Sequence, residues 1–222
     1  MNEIKTPWGS ISSKVSLFPL YYLTFIYGII YILPFGEIVV GSTWFDLLKK
    51  EDGPLEWLQF SQYFISSIFG FFILFKIKKK KSLNSIIWLG LTIFCFFIAA
   101  EEISWGERIT GFNLDSISEI SIQGETNFHN LPFFHNYLLD PALQIICVFL
   151  GWIGWRKWPY LTSLPSKKLS LFFLLVALFF AYYDLSWAST VSHIRNDQEI
   201  FEFLLSTGIF LHFWENFKFK KN

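Results

Sequence analysis

A chain of 222 residues that is 53% hydrophobic and 21% aromatic, with 28 Phe and 10 Trp, is too apolar for an ordinary soluble domain. Its formal net charge of zero decides nothing until the charges are placed along the chain. Cys95 and Cys147 both fall inside apolar stretches, so there is no disulfide framework and no zinc-finger spacing.

A helix of roughly 17–25 mainly apolar residues spans a bilayer. Six such stretches occur, near 15–36, 55–75, 83–103, 138–156, 168–188 and 198–217. The expected fold class is therefore all-α: one polytopic domain over 1–222, an integral membrane bundle of six transmembrane helices. The first stretch follows Lys5 and Lys14, as a signal peptide would. Its apolar region is longer than the roughly 7–15 residues of a signal peptide and ends at "PFGEIVVGS" without an A-x-A pattern, so it reads as a retained span. Asp52 and Pro54 look like the cap and first turn of the second helix, with Glu56, Gln59 and Tyr63 on one face. Asp140 and Pro141 look like the start of the fourth.

Lysine and arginine divide 14 to 4 between alternate connections, and the positive-inside rule then puts both termini in the cytoplasm. The run "KIKKKK" at 76–81 becomes a cytoplasmic turn beside anionic headgroups rather than a nucleic-acid patch. Acids go the other way: of 18 Asp and Glu, only Glu3 and Glu215 fall at cytoplasmic ends. Orientation does not require this asymmetry, because acids contribute little to it. The outer face needs its own explanation.

The connection at 104–137 exceeds the length of a passive link and is too apolar for disorder. It is expected to be a long structured loop folded back on the outer membrane surface. Just before it the third helix ends in "FFIAAEEISWGER". Glu101 and Glu102 diverge by roughly 100° on a helix, so one can face the bundle while the other faces water or a headgroup. Within the loop, "QGETNFHN" at 123–130 is the densest polar stretch. As a helix it puts Glu125 and His129 one turn apart, a metal-ligand spacing; as an extended segment, Gln123, Glu125, Asn127 and His129 share a face. A cap or turn accounts equally well for Gly124, Thr126 and Asn127. Asn130 completes the polar set.

Asp184 lies 16 residues past Lys168, about 24 Å along the fifth helix, where an acid is costly and ordinarily faces the bundle interior. Protonation or Arg195 could neutralise it. His193 follows it. Glu199 suits a solvated first turn of the sixth helix, whereas Glu202 sits deeper among "IFEFLL". His212 and Glu215 are expected at the inner interface, and His135 in the loop.

"EEISWGER" followed by "IQGETNFHN" resembles an uncharacterised family of bacterial multi-pass membrane proteins with EExSWGQ-like and QxExNxHN-like stretches in that order. The likeness covers about a fifth of the chain, and Glu107 stands where that pattern has Gln. The resemblance implies a multi-pass protein of the bacterial cytoplasmic membrane and no activity. Desaturase-type histidine boxes and the His-x-x-x-His helix of ceramidase-like membrane hydrolases are both missing.

These residues give three expectations. The first is an outer-face site for a lipid-modifying or hydrolytic reaction. Glu101, Glu102, Asp184 and Glu202 would do acid–base work, and Glu125, His129 and His193 would hold a divalent metal. Glu56, Gln59, Gln123, Asn127 and Asn130 would line it. The second is a non-catalytic assembly protein that binds a membrane partner through the aromatic-rich loop. The third is a proton or cation carrier, disfavoured because the inner half lacks matching acids. Membrane lipids are the expected partners and nucleic acid is not.

Overall fold

The computed structural model describes residues 3–6, 9–28, 53–77, 82–122, 124–183 and 197–219. Helices dominate, and one lies in each of the six apolar stretches. Among the described residues the exception to an all-α chain is an N-terminal hairpin, β1 (Glu3–Thr6) paired antiparallel with β2 (Gly9–Ser12). Ile4 stands opposite Ile11 in its register, in strands of Ile, Thr and Ser with enough β-branching to extend.

β2 runs directly into α1 (Ser13–Tyr27). α2 (Pro54–Lys76) starts with Gly53 as its cap and Pro54 in the first position, where a missing N–H costs nothing. Asp52, the expected cap, lies outside the described residues. α3 (Leu83–Glu102) is capped by the Ser82 hydroxyl, which accepts from the Ser85 N–H at 3.3 Å. The 104–137 connection contains two single-turn helices, α4 (Glu107–Thr110) and α5 (Asp115–Ser118).

The fourth apolar stretch is not one regular helix. α6 (Leu139–Val148) and α7 (Gly154–Lys157) are joined and preceded by wider π-turns at Phe149–Ile153 and Phe134–Leu138. Pro141 accounts for the one at Phe134–Leu138. It withholds the N–H that an α-helix would offer four residues back, and the preceding turn widens. α8 (Ser170–Tyr183) and α9 (Gln198–Phe219) complete the chain.

α2 packs against both α3 and α9, while α8 packs on α6, α9 and α1. Close approach uses small residues. A Cβ on Gly70 would lie 2.2 Å from Thr92 Oγ1 and 2.7 Å from the Phe213 ring, so α2, α3 and α9 meet there only because Gly70 has none. Gly208 does the same for α9 against Phe172, at 2.7 Å. The Tyr27 hydroxyl donates to Asp197 Oδ2 at 2.9 Å and ties α1 to the start of α9.

Polar side chains are buried beside an apolar core, and large apolar ones face outward. Gln59, Ser66, Ser67 and Ser206 are buried, whereas Phe71, Phe75, Ile86, Ile93 and Phe96 face outward. Of all helices, α2 and α3 are long and apolar enough by themselves to cross a membrane among the described residues. Only 33% and 22% of their apolar windows are buried, unlike the core helix of a soluble protein.

Candidate functional site

The chemistry-bearing residues gather where α2, α3 and α9 end beside the long loop. α3 closes on two adjacent glutamates that diverge around the helix. Glu101 is buried and faces the loop. Its Oε2 accepts the N–H groups of Phe128 at 2.7 Å and His129 at 2.9 Å, with His129 Nδ1 3.2 Å away. Its Oε1 accepts the Trp105 indole N–H. One carboxylate thus secures two segments of loop.

The chain then turns through Ser104, Trp105 and Gly106 with φ of 46°, 54° and 92°. Left-handed backbone is natural for glycine and strained for the other two. Both side chains are held. The Ser104 hydroxyl donates to Glu125 Oε2 at 2.6 Å, and the Trp105 ring packs edge-on against Phe97 and Phe128. "EEISWGE" is therefore a helix terminus, a forced left-handed turn and the acids that hold it.

"GETNFHN" is neither helix nor strand. Gly124 has φ 74°, the Asn127 side chain accepts the Asn130 N–H at 3.2 Å, and the Asn130 carbonyl accepts the Ile122 N–H at 2.9 Å. These bonds close a compact turn, so the helical and extended readings of this stretch both give way to the cap-and-turn reading. Thr126 is fixed at both ends: its N–H donates to Glu107 and its hydroxyl accepts from the Leu114 N–H, each at 2.8 Å. Glu125 and His129 consequently point to different partners, Glu125 to Ser104 and Arg108, His129 to Glu101. Among the described residues no three His, Cys, Asp or Glu side chains assemble as a metal-holding group. Gln123, Asp184 and His193 lie outside the described residues.

Arg108 is the hub that sequence reasoning missed. It pairs with Glu56 at 2.6 Å and Glu125 at 3.2 Å, and donates to the Glu102 carbonyl at 2.8 Å. Loop, α2 and α3 are joined through one guanidinium whose fork matches carboxylate geometry. A signal for it existed: Arg108 is the sole Lys or Arg between Lys81 and Arg156. Buried Gln59 donates to Glu199 Oε2 at 2.9 Å, so Glu199 is a bonded partner rather than a solvated first-turn acid.

Glu102 and Glu202 remain. They come from α3 and α9, lie within electrostatic reach of each other, and both feel Glu56 and Glu199. Arg108 acts on Glu102, and Asp140 on Glu202. Neither side chain accepts a hydrogen bond among the described residues, and both are partly exposed rather than sealed. Buried Tyr63, one turn beyond Gln59 on α2, is in electrostatic contact with both. Two carboxylates that accept no hydrogen bond among the described residues thus lie within electrostatic reach of a phenol and a guanidinium.

His212, expected at the inner interface, is buried. Its ring stacks on Trp88 at 5.0 Å and its Nε2 meets the Ser163 carbonyl at 3.1 Å. Glu215 pairs with Lys168. Both belong to the opposite end of the bundle.

No protein-family model, no curated protein and no solved structure matches the chain.

Proposed function

We propose that the protein is a six-span bundle of the bacterial cytoplasmic membrane, with both termini cytoplasmic and an acid-lined recess opening to the outer face. Two helices able to span and the outward-facing apolar side chains support the membrane assignment. The 14-to-4 division of basic residues supports the orientation.

In this reading the recess performs acid–base chemistry on a membrane lipid, as a lipid-modifying or hydrolytic enzyme. One observation carries it: Glu102 and Glu202 lie within electrostatic reach of each other, and no hydrogen bond among the described residues uses either side chain. Two carboxylates in one site divide acid and base roles when their surroundings differ. Arg108 acts on Glu102 and Asp140 on Glu202, so the surroundings of the two differ, and the pair would divide the roles of base and acid between them. Tyr63 would position the substrate's polar group between them. Glu101 and Glu125 become framework residues, because the loop turn depends on them. A metal-dependent form would draw on Asp184 and His193 and lose Glu125 to Arg108.

The test is a panel of phospholipid and acyl-ester substrates offered to the purified protein, with products read by mass spectrometry. Turnover should fall at least about 100-fold in Glu102→Gln and Glu202→Gln, the usual scale for loss of a general acid or base. Turnover should survive chelators. Full activity in both variants overturns the assignment, and chelator-sensitive activity transfers it to the metal-dependent form.

A second reading, partner binding, is favoured by the apolar loop surface, where Phe112 is 71% and Ile109 63% exposed. Co-purification of one stoichiometric membrane protein, lost in Phe112→Ser, would support it.

A further inference from the structure

At the end of the bundle marked by Lys168 and Glu215, two cations are held without being neutralised. Arg156, in the last turn of α7, lays its guanidinium 3.6 Å from the centroid of the Trp152 ring and 5.0 Å from that of Trp155. Lys167 opens the single 3₁₀ turn, Lys167–Leu169, that leads into α8, and its Nζ lies 5.6 Å from the same Trp155 ring. Trp155 is itself fixed, because its indole N–H donates to the Gly151 carbonyl at 2.9 Å. Cations from two elements thus meet on one anchored indole, and both are exposed.

A ring quadrupole attracts a cation but leaves its charge in place. Among the described residues no carboxylate pairs with Arg156 or Lys167. The sequence has no Asp or Glu between Asp140 and Asp184, and Glu215 is taken by Lys168. Like charges held on one ring repel, and an anion seated between them removes that cost. The guanidinium fork suits a phosphate in particular. The adjoining surface selects the kind of phosphate. Ile145, Val148 and Trp152 are exposed at spacings of three and four leading up to Arg156, along α6 and the π-turn after it. Trp158 and Tyr160 are exposed just beyond α7. An apolar stripe that ends in aromatic rings and cations matches a helix end at a bilayer interface. We infer that Arg156 and Lys167, set on Trp155, bind the phosphate of an anionic phospholipid whose acyl chain lies along Trp152, Val148 and Ile145. The inference rests on the membrane reading above and is independent of the carboxylates at the other end.

Native mass spectrometry of the detergent-purified full chain tests it, using equal amounts of dioleoyl phosphatidylglycerol and dioleoyl phosphatidylcholine. One phosphatidylglycerol should be retained about tenfold over phosphatidylcholine, the order expected when two cations face one anionic headgroup. Arg156→Gln should lower that ratio to about threefold, and Arg156→Gln with Lys167→Gln should bring it close to one. Lys167→Gln alone, on a different element, is the second variant if Arg156→Gln melts early. Lys157→Gln removes a neighbouring exposed charge that stacks on neither ring, and should leave the ratio unchanged. An equal fall in Lys157→Gln would mean diffuse attraction rather than a site, and overturns the inference. Glycerol 3-phosphate in large excess offers the phosphate without acyl chains and should displace no lipid; displacement would assign the site to a soluble anion instead. Equal retention of the two lipids by the wild type, or a stoichiometric acidic protein in place of lipid, also overturns it. Release of the protein from membranes by alkaline carbonate would instead overturn the membrane reading, so the two failures are distinguishable.

Discussion

Glu101 and Glu102 are neighbours in sequence and opposites in role. Glu101 satisfies two backbone N–H groups and an indole, so its loss leaves buried donors without partners. Glu101→Ala should destabilise the protein by about 2–4 kcal/mol, since each orphaned buried donor costs about 1–3. Deuterium exchange at 124–130 should rise in the same variant. Glu102→Gln removes a carboxylate that accepts no hydrogen bond among the described residues, and should melt no earlier than wild type. A lower melting temperature there would mean that Glu102 is structural, against the proposed chemistry. Gly106 adopts φ 92° with nothing near its Cβ position, so Gly106→Ala fails on backbone alone, by about 1–2 kcal/mol. Thermal melts in detergent would check all three.

At the scale of elements, glycine has opposite meanings at positions 70 and 90. Gly70 sits where three helices converge, and a side chain there would meet Thr92 and Phe213. Gly70→Leu should separate α2 from α3 and α9 and cost about 1–3 kcal/mol or more, the range of overpacked cores. Gly90, within α3, has no atom near its Cβ position. Gly90→Ala should be stabilising by about 0.5–1 kcal/mol, because alanine loses less backbone entropy in a helix interior. Melting temperatures moving the same way in both variants would contradict this packing. The sequence shows two similar glycines in two apolar helices, and only the neighbours distinguish them.

For the whole molecule, orientation is the property on which the proposed function depends. Cysteine labelling of intact cells with a membrane-impermeant maleimide checks it. The native Cys95 and Cys147 are buried and should stay silent. Asn113→Cys in the long loop should label from outside, whereas Lys79→Cys should label only after lysis. Reversal of that pattern would put the acid recess on the cytoplasmic side and remove the basis for an outer-face substrate.

Composition and apolar periodicity sufficed to locate six helical stretches, because burial in any solvent depends on side-chain polarity summed over a whole helix. They did not reveal the hairpin at Glu3–Ser12 or the π-turns around Pro141, which are short and depend on single residues. The lysine run marked one end, and the acids marked the other as the place for a site. Which acids were committed elsewhere was decided by the tertiary structure alone. Glu125 looked like a metal ligand until Arg108, 17 positions away, claimed it; Glu199 looked solvated until Gln59, 140 positions away, bonded it. A carboxylate's role is set by the donors that reach it, and those donors come from other helices. Within "EEISWGER" the packing ties Glu101 into the loop and leaves the Glu102 side chain without a hydrogen bond among the described residues.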